Sequence, residues 1–370
     1  VSDASPGRIR VLLLFGGRSS EHSISCVSAG NVLRAIDRAR FEVVPVGIGT
    51  DGVWRRAPDD PDALVIVDGA LPVVGASGEE VVPPVHPGGS FLELVDGRWQ
   101  PMPPVDVVFP LLHGPFGEDG TVQGLMEIAG VPYVGSGVLA SAVAMDKGFT
   151  KSLLSAAGLQ VGRWVSFHAR RWVDDPEGVL EEVRGLGLPV FVKPCRAGSS
   201  VGVSRVTAVD GLAPAIGQAL AHDPRVIVEA AVAQAREIEC GVLVDEHGDL
   251  QVSSFGEIVV REGHDFYDFE AKYLDDSADL IVPADLPPAV VDQLRRLAVR
   301  GFDALGCEGL SRVDFFLPRG GEPIINEINT MPGFTAISMY PRMWGHAGLS
   351  YPDLVTALIA DALRRGTGLR

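Results

Sequence analysis

The chain has 370 residues, 46% of them apolar and 21% charged, with a formal net charge of −17. The length fits two or three domains at roughly 100–200 residues each, and the apolar share is enough for a buried core. No Lys/Arg-rich run offsets the acidity, which excludes a surface built to displace counterions from nucleic-acid phosphates.

Residues 1–7 read as a tail. No apolar stretch of signal-peptide length follows, and the early run Val11–Phe15 is far too short to span a bilayer, so no membrane partner is expected. The four cysteines Cys26, Cys195, Cys240 and Cys307 lie far apart without zinc-type spacing. They are expected as reduced thiols, mostly buried, in a cytoplasmic protein.

Arg10 to Phe15 reads as a buried strand stopped by Gly16-Gly17, followed by a helix whose apolar residues Ile24, Val27, Val32, Leu33 and Ile36 share one face. Phe41 to Ile48 is a second strand, so the chain opens as an α/β sheet. Residues 55–104 are rich in Pro, Gly and Asp, and predict loops with a hairpin over Phe91–Trp99 turning at Asp96-Gly97. A strand over Val105–Leu112 and a helix over Val122–Ala129 come next, and a boundary is placed near Ala144. The middle predicts a helix (Phe149–Ala157), a strand (Trp164–Phe167), a helix (Pro176–Leu186) and strands at Pro189–Pro194 and Arg225–Glu229. Further strands follow at Ile238–Val244 and Leu250–Ile258, then a polar stretch from Arg261 to Ile281. A helix over Ala289–Leu305, strands at Leu310–Leu317 and Pro323–Ile328 and a terminal helix from Tyr351 to Arg364 complete the chain.

Four constellations carry chemistry. In Arg312-Val-Asp314 and Asn326-Glu327-Ile-Asn329 alternate residues of a strand share a face, so pairing of the two strands would gather two carboxylates, an amide and a guanidinium. Such oxygen donors, without His or thiolate, suit Mg²⁺. Lys193 ends a strand before Pro-Cys-Arg-Ala-Gly-Ser-Ser-Val-Gly202, whose glycines and serines could approach a phosphate, although an ordinary turn would read the same way alone. Glu21 follows Gly16-Gly17 at the mouth of the first strand, where an amine could be held; a carboxylate favouring a helix N-terminus is the alternative. His113 opens a Gly-rich turn and could equally be structural.

These blocks, together with Met145-Asp-Lys147 and Glu270-Ala-Lys-Tyr273 and ending at Thr330-Met-Pro-Gly333, resemble the D-alanine–D-alanine ligases of the ATP-grasp superfamily. The resemblance runs over nearly the whole chain. It implies an α/β protein of ATP-grasp fold in three domains: an N-terminal open α/β sheet domain (1–144), then central (145–232) and C-terminal (233–370) α+β domains clasping ATP. It implies ATP-dependent joining of two D-alanines through a D-alanyl phosphate, for peptidoglycan precursors, in a cytoplasmic homodimer. Lys147 and Lys193 would contact phosphates, Glu229 and the backbone of Ala231 and Val232 the adenine, Glu237 the ribose, and Lys272 the γ-phosphate. Asp314, Glu327 and Asn329 would hold two Mg²⁺, with Mn²⁺ as a substitute. Glu21 would receive the ammonium of the first D-alanine, linked to Ser199 and Tyr273, with His113 beside the substrate. Ser338 and Met339 would hold the second carboxylate, and Arg312 and the Gly333 N–H would stabilise the oxyanion. The stretch Arg261–Val282 is the expected lid.

Between Glu229 and Glu237 the chain is one residue longer than the usual hinge of this family, and Ala197 stands where some relatives carry Glu. The intact Glu270-Ala-Lys-Tyr273 favours a dipeptide product over a D-lactate ester, and the retained lysines and metal ligands favour an enzyme over a non-catalytic relative. The missing GxGxxG argues against a dinucleotide-dependent dehydrogenase.

Overall fold

The computed structural model describes residues 7–260, 278–335 and 337–368. The chain opens with β1 (Ile9–Gly16), α1 (His22–Ala35), β2 (Phe41–Ile48) and β3 (Trp54–Arg56). A small antiparallel sheet follows, of β4 (Val81–Val82), β5 (Leu92–Val95) and β6 (Arg98–Pro101). Its hairpin turns at Asp96-Gly97, both with positive φ, as an Asp-Gly turn of this length requires. β7 (Val107–Pro110) then returns to the first sheet, giving the order β3-β2-β1-β7. β1 runs parallel to both β2 and β7, and its Val11–Leu14 are fully buried, which is why it reads as an unbroken apolar run. Parallel pairing brings Gly16-Gly17 and the segment before His113 to the same end of the sheet, where open α/β sheets bind ligands.

Three helices come next: α2 (Thr121–Ala129), α3 (Val138–Met145) and α4 (Lys147–Ala156). A second sheet is built from β8 (Trp164–His168), β9 (Val190–Pro194), β10 (Ser204–Val206) and β11 (Arg225–Ala230), ordered β10-β9-β11-β8 and wholly antiparallel. Interleaved with these strands are α5 (Ala169–Asp174), α6 (Pro176–Arg184) and α7 (Leu212–Leu220). Val179 and Val183 of α6 and Ile216 and Ala219 of α7 pack on Val190 and Val192 of β9. The alternation of β9 therefore leaves Phe191 and Lys193 on the opposite face.

The last sheet is antiparallel in the order β14-β13-β12-β15-β16: β12 (Ala235–Val244), β13 (Leu250–Val260), β14 (Ala278–Ile281), β15 (Leu310–Pro318) and β16 (Ile324–Asn329). One face is covered by α8 (Pro288–Leu305), whose Leu294, Ala298 and Phe302 cluster with Ile238, Cys240, Val313 and Phe315. Alternation then commits Glu237, Glu239, Arg312 and Asp314 to the face opposite α8. Helices α9 (Met339–His346) and α10 (Tyr351–Arg365) close the chain. Leu354, Leu358 and Ile359 of α10 share a core with Leu13 and Phe15 of β1, so the end of the chain packs on its beginning. No helix among the described residues is long and apolar enough to cross a membrane.

Helices α3, α5, α7 and α9 are absent from the sequence reading. The run VLASAVAM of α3 has no polar stripe to reveal a helical period, and α7 carries Pro214 and Gly217. The expected lid falls mostly on 261–277, outside the described residues.

The α10 junction is fixed by Asp361, which is fully buried and accepts hydrogen bonds of 2.7 Å from both Arg364 and Arg365. Arg365 also donates to the Gly135 carbonyl at 3.2 Å. Removing one partner of a buried pair strands the other charge, and because Arg364 can rehydrate the cost lies at the lower end of the usual range. Asp361→Ala is expected to lower the unfolding free energy by about 3 kcal/mol, seen as a lower urea midpoint at unchanged slope.

Candidate active site

A cavity of about 630 Å³ is lined by the two larger antiparallel sheets and by loops at the ligand-binding end of the first sheet. Nearly every described residue singled out from the sequence lines it; Lys272 and Tyr273 lie outside the described residues. Three groups of side chains define its chemistry.

The first is a row of carboxylates. Asp314 on β15 is paired with Glu239 on β12 and with Glu327 on β16, so three carboxylates stand side by side on the face opposite α8. One guanidinium, that of Arg312, joins them: it donates to both oxygens of Asp314 at 2.7 Å and lies 3.2 Å from Glu239. The Asn329 amide reaches Asp314 at 3.1 Å and Glu327 at 3.5 Å. Burial pushes the Asp314 carboxyl up to about 8; Arg312 pulls it down, but the charges of Glu239 and Glu327 act with burial. Arg312 is lifted well above its ordinary value, since Asp314 and Glu239 outweigh the burial that opposes its charge.

This donor set fits a divalent cation. Among the described residues no three His, Cys, Asp or Glu side chains form a closed metal cage. Two carboxylates and an amide oxygen, open toward the cavity, are nonetheless what Mg²⁺ uses when substrate phosphates complete its shell. A cation would also offset the negative charge that Glu239 and Glu327 bring to bear on the buried Asp314. Glu239 was not singled out from the sequence, although the alternation of Glu237-Ile-Glu239-Cys already puts both glutamates on one face.

The second group is a lysine cluster. Lys193 and Lys151 hold the two oxygens of Glu229 at 2.6 and 2.7 Å. Lys151, from α4, also donates to the Asn326 carbonyl at 3.3 Å, and it too escaped the sequence reading, though it stands one helical turn from Lys147. Lys147 donates to the Ala197 carbonyl at 2.8 Å. Although burial opposes ionisation, the two lysines hold the Glu229 carboxyl well below the usual carboxylate range. The Glu229 side chain, assigned above to adenine, is thus engaged by lysines, and the Ala231 N–H is taken by the Pro189 carbonyl at 3.0 Å. Val232 and Glu237 line the same side of the cavity.

The third group surrounds Glu21, which is 8% exposed. Ser199 Oγ donates to Glu21 Oε1, and Ser199 and Ser200 both adopt positive φ to bring that loop across from the second sheet. The approach is close: a Cβ on Gly198 would lie 2.5 Å from Glu21 Oε2, and one on Gly114 2.8 Å, so either would push the carboxylate aside. Burial holds the His113 imidazole below its ordinary value, and its Nε2 meets Ser28 Oγ at 3.3 Å. Glu118 accepts the Gly114 N–H at 2.6 Å; burial, then the Glu21 charge, pushes its carboxyl well up. At the other end of the cavity Ser338 Oγ lies 2.7 Å from Thr335 Oγ1, and Gly333 and Met339 line the wall.

The chain matches the family models "D-ala D-ala ligase N-terminus" over residues 10–136 and "D-ala D-ala ligase C-terminus" over residues 153–360. The chain belongs to the D-alanine–D-alanine ligase family. Its relatives include the D-alanine–D-alanine ligase of Mycolicibacterium vanbaalenii, 58% identical over 98% of this chain and 99% of that one. The enzyme of the same name from Kineococcus radiotolerans is 56% identical over 99% of this chain and 100% of its own. Among solved structures, the VanG D-Ala:D-Ser ligase of Enterococcus faecalis superposes with a TM-score of 0.82 at 35% identity, covering 96% of this chain and 100% of that one. The Coxiella burnetii D-alanine–D-alanine ligase gives 0.81 at 33%, covering 97% and 94%. The fold is therefore the α/β ATP-grasp architecture that the sequence motifs imply.

Because Glu229 has a depressed folded pKa, its contribution to stability is present above the unfolded value of 4.5 and is lost as the pH falls below it. Glu229→Gln, which strands two buried lysines, is expected to cost about 3–5 kcal/mol at pH 7. In denaturant titrations the gap to the parent should narrow as the pH drops below 4.5.

Proposed function

We propose that this chain joins two D-alanines, using ATP, by way of a D-alanyl phosphate. The observation that carries the reading is the meeting, in one cavity, of an amine-holding carboxylate, a lysine cluster and a carboxylate row with an arginine. Glu21, oriented by Ser199, takes the ammonium of the first D-alanine. Lys147 and Lys193 hold the phosphates of ATP, with Glu229, Ala231, Val232 and Glu237 on the nucleoside side and Lys272 at the γ-phosphate. The first carboxylate attacks the γ-phosphorus, forming a new P–O bond as the bond to ADP breaks. The amine of the second D-alanine, held by Ser338 and Met339, attacks the resulting acyl carbonyl. The C–N bond forms, the amine loses a proton, and inorganic phosphate leaves. Arg312 and the Gly333 N–H stabilise the negative oxygen of the tetrahedral intermediate, with His113 beside the reacting groups and Tyr273 completing the hydrogen bonds of Ser199. Asp314, Glu327 and Asn329 would hold two Mg²⁺, or Mn²⁺, which neutralise phosphate charge.

This chemistry favours exclusion of water, because acyl phosphates hydrolyse; we assign the lid to 261–282. The reading also takes three units, 1–144, 145–232 and 233–370, in a cytoplasmic homodimer that supplies peptidoglycan precursors. Supplying the protein with ATP, Mg²⁺ and equal D-alanine, D-serine and D-lactate tests the activity. D-Ala–D-Ala should dominate the products, and predominance of a mixed dipeptide or an ester would replace the reading.

Two variants probe the first amino-acid site. Glu21→Gln keeps the size but removes the charge, so it should raise the KM of the first D-alanine far more than that of the second or of ATP. Equal effects on both D-alanine terms would mean that Glu21 is not the amine anchor. Gly198→Ala should fold, since the atom it meets is the end of a side chain. By displacing Glu21 it should reproduce the same selective defect.

A further inference from the structure

Arg312 has two anionic partners of unequal closeness. Both nitrogens nearest Asp314 sit at 2.7 Å from its oxygens, while Glu239 Oε2 stands 3.2 Å from the same guanidinium. Glu239 is 5% exposed and belongs to β12, which is covered on its other face by α8, so its carboxylate cannot turn to solvent without leaving the strand alignment that sets it beside Asp314. The proposed reaction makes two demands on this group. Asp314 must offer its oxygens to a cation, and Arg312 must stay charged, buried and aimed at the reacting carbonyl. A bidentate Arg312–Asp314 pair cannot persist in full once a cation takes those oxygens, and a buried guanidinium left without an anion is costly.

We propose that Glu239 is a positioning residue that receives the Arg312 guanidinium when a divalent cation takes Asp314. The inference rests on the metal assignment given above and adds a residue to which that assignment gives no part. Glu239 needs no contact with substrate or cation in this role. It acts by giving Arg312 a second anchor on the neighbouring strand, so that the guanidinium shifts sideways along the carboxylate row instead of competing for Asp314.

The test is Mn²⁺ binding to the whole protein in the presence of ADP, followed by electron paramagnetic resonance, so that no turnover is needed. In Glu239→Gln the guanidinium must remain on Asp314, so Mn²⁺ affinity should fall roughly 10- to 100-fold, the usual effect of losing an outer partner of a metal site. Thermal unfolding should stay close to that of the parent, and kcat should fall more than the KM of either D-alanine. Glu239→Asp, which keeps the charge and provides a second variant if the amide folds poorly, should recover part of the affinity. The deciding comparison is a double-mutant cycle with Arg312→Gln. With the guanidinium gone there is nothing to hand over, and Glu239→Gln should no longer change Mn²⁺ affinity. If it weakens binding as much in that background, Glu239 acts on the cation directly and the exchange is overturned, as it is by parental affinity in the single variant. Asp314→Asn separates the two levels: Mn²⁺ binding indifferent to that change would remove the metal assignment and the exchange together, whereas loss of binding there with no effect at Glu239 would overturn the exchange alone.

Discussion

The alignment of three carboxylates across three adjacent strands is the constraint on which the site depends. Like charges set opposite one another on a sheet are unfavourable, and burial makes them more so. The register nevertheless places Glu239, Asp314 and Glu327 in one line. A one-residue slip of β15 would send Asp314 and Arg312 into the apolar layer beneath α8 and bring Val313 to the cavity. The apolar residues of that layer, Ile238, Cys240, Val313 and Phe315, are thus what hold the acidic row in place. Packing on one face of the sheet sets the electrostatics of the other.

The same logic orders the lysine cluster. β9 alternates buried and half-buried residues, with Val190 and Val192 against α6 and α7 and Lys193 on the cavity side. β11 then sets Ile227 opposite Lys193 and carries Glu229 two residues on, so the carboxylate shares Lys193's side of the sheet. Lys151 arrives from α4, whose N-terminus is capped by Asp146 through bonds of 3.0 and 3.1 Å to the Gly148 and Phe149 N–H groups. Because Asp146 also receives Arg225 at 2.8 Å, the cap ties α4 to β11, and the helix delivers Lys147 and Lys151 in fixed relation to the second sheet.

Much of this was legible in the sequence for a simple reason: strands that alternate, or run wholly apolar, announce both their existence and their faces. β1, β2, β9, β11, β12 and β15 were all readable, as was the Asp96-Gly97 hairpin, because turn chemistry and period agree there. What escaped was of two kinds. Helix α3 has composition without a helical stripe, and in α7 Pro214 and Gly217 interrupt the reading of the stripe Leu212, Ala215, Ile216 and Ala219. Glu239 and Lys151 owe their importance to partners 73 and 78 residues away in sequence, Arg312 and Glu229, and nothing local marks them. Glu229 shows the limit of carrying a role over by motif: it lines the cavity, but its side chain answers to Lys193 and to Lys151, which only the folded arrangement brings near.

A net charge of −17 poses a problem for any protein that must bind polyphosphate. Among the described residues, three of the cations in the cavity stand paired with carboxylates. In the cavity Lys193 and Lys151 share Glu229, and Arg312 is held by Asp314 and Glu239. Each of these three cations is therefore compensated before substrate arrives, which avoids the several kcal/mol that an isolated buried charge costs. It follows that an incoming phosphate or cation must exchange partners with groups already paired, so its net attraction is the difference between two strong interactions and not the whole of one. In the proposed reaction Glu229 could release Lys193 because Lys151 would remain on it, and Arg312 has two of the three carboxylates of the row within reach. Shared partners of this kind make exchange inexpensive in both directions, so that the residues which stabilise the resting cavity can also let product leave.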